Sequence, residues 1–230
     1  MKRLLIITIM FWNLILGTST KCADNTDKTQ HTQDSITQHN TETDSLPVVV
    51  MMGNSITELW AETHPGFFTA NHLVGRGISG QVSGQMLARF QHDVINLKPS
   101  IVVINCGTND IAENDGPYNE ELTMYNIKSM TELALYHDIE VVLSSVLPCD
   151  GFCWNTTVKD APEKIDRLNK RIMDYASTQS HVHYLDYFQS MTDDGRSMIK
   201  SYTKDGVHPN AKGYDAMEVK LKEMLETLNQ

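Results

Sequence analysis

The stretch "VVVMMGNSITELW", residues 48–60, decides how this chain is read. An apolar run stops abruptly at Gly53-Asn54-Ser55, and Ser55-Ile56-Thr57-Glu58 has the character of a first helical turn. The run reads as a buried strand that hands over directly to a helix. A serine at such a junction serves either as a helix N-cap, for which Ser is among the best residues, or as a nucleophile. The rest of the chain must decide between the two.

Outward from this junction, strand-like and helix-like stretches alternate. Strands are predicted at 47–52, 71–77, 101–105 ("IVVIN"), 140–146 ("EVVLSSV") and 182–187 ("VHYLDY"). Helices are predicted at 83–96, where Met86, Leu87, Phe90, Val94 and Ile95 keep helical spacing, and at 118–137, 162–177 and 211–228. The run at 101–105 has no polar alternation, so both of its faces should be buried. Alternation of this kind argues for an α/β class: a three-layer α/β/α sandwich around a five-stranded parallel sheet. Ligands of such folds bind beyond the carboxyl ends of the strands. Ser55, the "GTND" after the third strand and the loop after the fourth all fall there.

The 230 residues suit one domain with a sizeable core, with hydrophobic residues at 40% and charged residues at 21%. A formal net charge of −10 argues against nucleic acid and against anionic membranes as partners. Lys2-Arg3, the uncharged run Leu4–Leu16 and then Gly17-Thr18-Ser19-Thr20 follow the order of a secretory signal peptide, expected to occupy residues 1–20. An uncleaved anchor is the alternative, although the run is short of the ~20 residues that span a bilayer. The protein is therefore expected to be exported: periplasmic, secreted or at the cell surface. Lipid attachment at Cys22 ranks below simple export, because Ser19-Thr20-Lys21 looks little like a lipobox. Residues 21–45, rich in Thr, Gln, Asp and Asn, read as a disordered polar linker, and the folded domain is expected over 46–230.

A serine nucleophile needs a base, an orienter for that base and donors for the oxyanion. His208, in "DGVHPNAKGY", has Asp205 three residues before it, and Pro209 can open the last helix. Asp205 can accept the proton-bearing nitrogen of the imidazole while the other nitrogen faces Ser55. An ordinary Asp turn followed by a surface histidine is the competing reading of that segment taken alone. Support comes from the joint pattern: Gly53-Asn54-Ser55-Ile56-Thr57, "GRGISG" at 75–80, Gly107-Thr108-Asn109-Asp110 and Asp205-Gly206-Val207-His208-Pro209, in this order and each at a strand end.

These four blocks resemble those of the SGNH hydrolases, also called the GDSL family, over about residues 47–228. The resemblance implies a flavodoxin-like SGNH fold, with Ser55 as nucleophile and Asp205 and His208 completing the triad. It implies an oxyanion hole from the Gly80 N–H and the Asn109 side-chain amide. The usual first block reads Gly-Asp-Ser; here Asn54 keeps an acceptor oxygen and loses the negative charge. No Gly-x-Ser-x-Gly occurs, which disfavours the α/β-hydrolase elbow. The chain is similar to exported carbohydrate esterases that remove acetyl groups and to small acylhydrolases related to platelet-activating-factor acetylhydrolase. Removal of short acyl groups, acetyl above all, from carbohydrate through an acyl-enzyme is thus expected, with a small acyl ester or acetylated glycan as the partner. A lysophospholipase or thioesterase is the alternative among enzymes, and an inactive carbohydrate-binding relative the alternative outside them.

Several residues keep two readings. Phe152 and Trp154, in the loop after the fourth strand, either stack on a sugar ring or cover the edge of the core. Arg76 either faces the site or braces its strand. Trp60 is expected to pack. Cys149 and Cys153, in "PCDGFCWN", either close a short-loop disulfide or stand as free thiols, and Cys106 is expected to be a buried small hydrophobe. No metal and no cofactor is expected, since two cysteines alone lack a second ligand pair.

Overall fold

A computed structural model describes residues 48–228. The segments expected to be signal peptide and linker, Cys22 among them, lie outside the described residues. Five strands form one parallel sheet in the order β2-β1-β3-β4-β5. They are β1 (Val49–Gly53), β2 (Leu73–Gly77), β3 (Ile101–Ile104), β4 (Glu140–Ser144) and β5 (Val182–Leu185). This is the flavodoxin-like order, in which the winding reverses beside β1.

Helices cover both faces of the sheet, which is why the strands lack alternation. In β1, Val50 and Met52 point into a core shared with α3 (Ser83–Asp93), α5 (Glu120–Tyr136) and α6 (Ala161–Ser177). Val49 and Met51 point the other way, into a core shared with α1 (Ser55–Thr63), α2 (Pro65–Ala70) and α8 (Ala211–Leu228). Met52 and Val50 are fully buried, as are Phe90 of α3 and Leu221 of α8. Trp60 packs as expected: it is 1% exposed and stacks on Tyr214 at 5.7 Å between centroids. The Tyr214 hydroxyl donates to the Ile56 carbonyl at 2.9 Å, which bolts α8 to the first turn of α1. Two single-turn helices, α4 (Thr108–Ile111) and α7 (Phe188–Met191), complete the described set.

Differences from the sequence reading have local causes. The helix expected to reach residue 96 ends at Asp93, and a 3-10 turn over Ile95–Leu97 follows. Pro99 disfavours helix at Lys98, which takes a left-handed φ of 49°. The fifth strand stops at Leu185, because Ser145 Oγ draws the chain away by accepting from Tyr187 N (3.0 Å) and Phe188 N (2.9 Å). The helix α2 was not anticipated, although Pro65 at its first turn is a standard opening signal. Cys106, Cys149 and Cys153 are free thiols, which closes the disulfide reading for the last two.

One contact fixes how α1 meets the sheet. A Cβ built on Gly77 falls 2.1 Å from the Glu58 amide nitrogen and 2.7 Å from the Asn54 carbonyl. Both are backbone atoms that cannot swing aside. Gly77→Ala is therefore expected to destabilise the fold by roughly 3 kcal/mol, the upper end for overpacking. Urea unfolding monitored by circular dichroism tests this; a loss below about 1 kcal/mol would show that α1 is free to shift.

Candidate active site

Asn54, not Ser55, caps α1. Its Oδ1 accepts from Ile56 N at 3.1 Å, so Ser55 is left as the first helical residue with a free hydroxyl. That hydroxyl lies 3.0 Å from His208 Nε2. His208 Nδ1 lies 2.7 Å from Asp205 Oδ2. An ionised carboxylate only accepts, so Nδ1 carries the proton and Nε2 is free to accept from Ser55. Ser55, His208 and Asp205 therefore form one hydrogen-bonded line at the carboxyl edge of the sheet.

The Asp205–His208 unit is built within a single turn. Asp205 Oδ1 accepts from the backbone N–H of Val207 (2.9 Å) and of His208 (2.8 Å), while Oδ2 faces the ring. Thr203 Oγ1 donates to the His208 carbonyl at 2.8 Å and closes the loop from below. Partial burial pushes the Asp205 carboxyl up, but the His208 ring and the two backbone N–H groups outweigh it and hold the group at about 2. A depressed carboxylate contributes stability above its ordinary value of 3.8 and loses it as the pH falls through about 2. The orienting charge thus persists well into acid.

Ser55, Gly80 and Asn109 follow β1, β2 and β3 at the same edge of the sheet, and each carries a hydrogen-bond donor. The Ser55 N–H opens α1 and has no helical acceptor of its own. Gly80, at φ +79°, sits in a turn after β2, a conformation that suits glycine, and its N–H has no acceptor among the described residues. Glu58 holds that turn by accepting from the N–H (2.8 Å) and the hydroxyl of Ser79. Asn109, on α4 and 4% exposed, donates one amide hydrogen to the Gln81 carbonyl at 2.9 Å and retains a second.

Two half-buried groups brace this frame; Arg89 was not singled out in the sequence, and Asp110 entered only as the last residue of its block. Arg89 on α3 donates to the carbonyls of Gly53 (2.8 Å) and Arg76 (3.0 Å), which ties the ends of β1 and β2 together. Asp110 accepts from Ser83 N (3.0 Å), Ser83 Oγ and Thr123 Oγ1 (3.2 Å), and so anchors the start of α3. Burial raises the Asp110 carboxyl above its ordinary value, and the hydrogen bonds from Ser83 and Thr123 offset part of that rise.

The expected substrate-contacting residues separate. Arg76 donates to the Gly75 carbonyl at 3.1 Å, folding back on its own strand as a brace. Phe152, expected beside the substrate with Trp154, is 3% exposed and belongs to the core, where apolar burial against α6 residues holds it. Trp154 lies above it with centroids 5.2 Å apart, is 45% exposed, and sits 6.1 Å from the His208 ring. Elsewhere, ligand atoms of His64, Asp215 and Glu218 lie within 4.8 Å of one another, a spacing that can hold a metal. The 2.5 Å pair between His64 Nδ1 and Glu218 already accounts for that cluster as a tie between α1 and α8.

Comparison with known proteins places this arrangement. Residues 34–216 match the model of the GDSL-like Lipase/Acylhydrolase family. The crystal structure of a GDSL-like lipase from Bacteroides thetaiotaomicron is 52% identical, with a TM-score of 0.77 over 79% of this chain and 89% of that one. Among curated proteins, an N-acylneuraminate cytidylyltransferase of Escherichia coli is 24% identical over 86% of this chain and 45% of its own length. A multidomain esterase of Ruminococcus flavefaciens is 27% identical over 68% of this chain and 20% of its own length. The chain thus spans less than half the length of either curated relative. The family match over most of the chain, the flavodoxin-like strand order and the four blocks at the sheet edge agree: the chain belongs to the SGNH, or GDSL-like lipase/acylhydrolase, family of ester hydrolases.

Proposed function

We propose that this chain hydrolyses short acyl esters, acetyl esters of carbohydrate above all, by covalent catalysis at Ser55. The observation that carries the reading is the line Ser55 Oγ–His208 Nε2–Asp205, at 3.0 and 2.7 Å. His208 takes the Ser55 proton as Oγ attacks the ester carbonyl. The Ser55 and Gly80 N–H groups and the second Asn109 amide hydrogen receive the oxyanion; losing one such donor typically costs about 2.7–4 kcal/mol. His208 then gives its proton to the leaving alcohol, and water releases the acyl group by the same path in reverse. The name of the Ruminococcus relative, an esterase, supports the reaction class. The expected signal peptide would bring the enzyme to extracellular glycans.

Carbohydrate is favoured over lipid by Trp154, whose exposed face stands beside His208 and offers a sugar ring a stacking surface. The longer-acyl reading has one observation behind it. A groove of about 410 Å³ beyond Asp205 is lined in part by Phe152, Val158 and Met198. A buried methylene yields about 0.8 kcal/mol where an apolar groove receives it. That groove reaches Asp205 and Gly206, and its lining includes neither Ser55 nor His208. Acetyl esters are therefore expected to exceed octanoyl esters in kcat/KM. Steady-state rates on p-nitrophenyl esters of C2, C4, C8 and C16 acids test this; a maximum at C8 or beyond promotes the lysophospholipase or thioesterase reading. An absence of any turnover of the C2 ester by folded protein would leave a binding relative.

A further inference from the structure

The side chain of Asn109 can serve an oxyanion only if its NH2 group, and not its carbonyl, faces Ser55. A primary amide is nearly symmetric in shape, so something other than packing must set which end points where. A chain of hydrogen bonds outside the four family blocks does this. Trp154 Nε1 donates to Asn114 Oδ1 at 2.9 Å. Asn114 Nδ2 donates to Asn109 Oδ1 at 3.0 Å, and its second hydrogen faces the Gly80 carbonyl at 3.5 Å. Asn109 Nδ2 donates onward to the Gln81 carbonyl at 2.9 Å.

The two ends of the chain fix its direction. An indole N–H can only donate, so the Asn114 atom that meets it must be the oxygen. The Asn114 nitrogen is then turned toward Asn109 and must meet an oxygen there. A backbone carbonyl can only accept, so the far end demands a nitrogen of Asn109 at Gln81. Both ends impose the same order, and the reverse order would leave two acceptors or two donors facing each other against the buried Asn109 side chain, although Asn114 and Trp154 themselves reach solvent. The hydrogen left over on Asn109 Nδ2 is the one available to an oxyanion.

We infer that Trp154 and Asn114 are positioning residues that polarise the Asn109 amide and, through Asn114, hold the Gly80 turn beside it. The inference rests on the proposed role of Asn109 as an oxyanion donor. It gives Trp154 a task that is independent of any contact with sugar. It also places the control of the oxyanion hole on the loop after β4, which carries none of the family blocks. Preorganised donors are effective because they need not reorient as charge develops, so an amide free to flip loses part of that advantage even with every donor atom present.

The test uses p-nitrophenyl acetate, which carries no sugar, with thermal midpoints as the folding control. Asn109→Ala is expected to lower kcat by roughly 10²–10³-fold, the usual cost of a deleted donor. Asn114→Ala is expected to lower kcat by roughly 10- to 100-fold with KM within twofold, because the substrate contacts are untouched. In an Asn109→Ala background, Asn114→Ala should cost little more, since it acts through the amide already removed. Trp154→Phe keeps an aromatic ring beside Phe152 while deleting the indole N–H, and should lower kcat by about threefold to tenfold, again at constant KM. It carries the test if Asn114→Ala does not fold. Losses that multiply in the double variant, or kcat within twofold of the parent in both Asn114→Ala and Trp154→Phe, overturn the inference. An unchanged kcat in Asn109→Ala overturns the oxyanion role itself, and the relay with it.

Discussion

Ser55→Ala is expected to yield a folded protein whose turnover of p-nitrophenyl acetate falls by roughly 10⁴–10⁶-fold, the range seen when a triad nucleophile is removed. The fold has little reason to suffer. The cap of α1 belongs to Asn54, whose bond to Ile56 N does not involve the serine side chain. The Ser55 hydroxyl is bonded to His208 and to no core group. Alanine is also the better helix former. The residual rate reports what the oxyanion donors and binding achieve without a nucleophile. Near-parental turnover in a variant with an unchanged thermal transition would remove Ser55 from the mechanism.

Asp205→Asn is expected to cost roughly 10³–10⁴-fold in kcat at neutral pH, on the precedent of the same exchange in a serine protease triad. The local geometry gives the reason. One carboxylate oxygen is committed to the N–H groups of Val207 and His208, at 2.9 and 2.8 Å. An asparagine must keep its oxygen there, so its NH2 group turns toward His208 Nδ1. The imidazole then takes the opposite tautomer, with its proton on Nε2, facing Ser55. A base that already holds a proton on the reacting nitrogen cannot take another while neutral. The turn keeps its acceptor for the two N–H groups, so the protein should still fold, with a loss of stability no larger than the depressed carboxylate contributes. A loss below tenfold would show that Asp205 shapes the loop and does not set the tautomer.

The sheet was legible in the sequence because its strands are buried on both faces. Continuous apolar runs such as Ile101–Ile104 stand out from helices of period 3.6, and the breaks between them carry the glycines. That Ser55 stands at a strand end was legible for a related reason, whereas Asp205 and His208 lie well past β5, beyond α7 and a 3-10 turn over Lys200–Tyr202, and only their place in the joint pattern pointed to them. Arg89 was not singled out, and Asp110 was read only as part of its block, without its tie to α3. Arg89 is a polar residue placed where helical spacing tolerates it, and nothing local says that it reaches two carbonyls on separate strands. Asn114 is harder still, because its partners are 5 and 40 residues away and its meaning lies in the direction of a chain of donors. Phe152 and Trp154 were read together as one aromatic pair, yet the loop buries one ring and leaves the other exposed.

The bond from the Tyr214 hydroxyl to the Ile56 carbonyl joins residues 158 apart, and the Ser55–His208 contact spans 153. The Asp205–His208 unit, by contrast, closes over three residues and needs little loop entropy to form. Long closures of this kind are slow steps in assembly. All five strands precede residue 205 in the chain, so the sheet can be complete before the base arrives. On the proposed mechanism, catalytic competence would then come after the sheet: Ser55 would have no base until the segment carrying His208 closes against the start of α1.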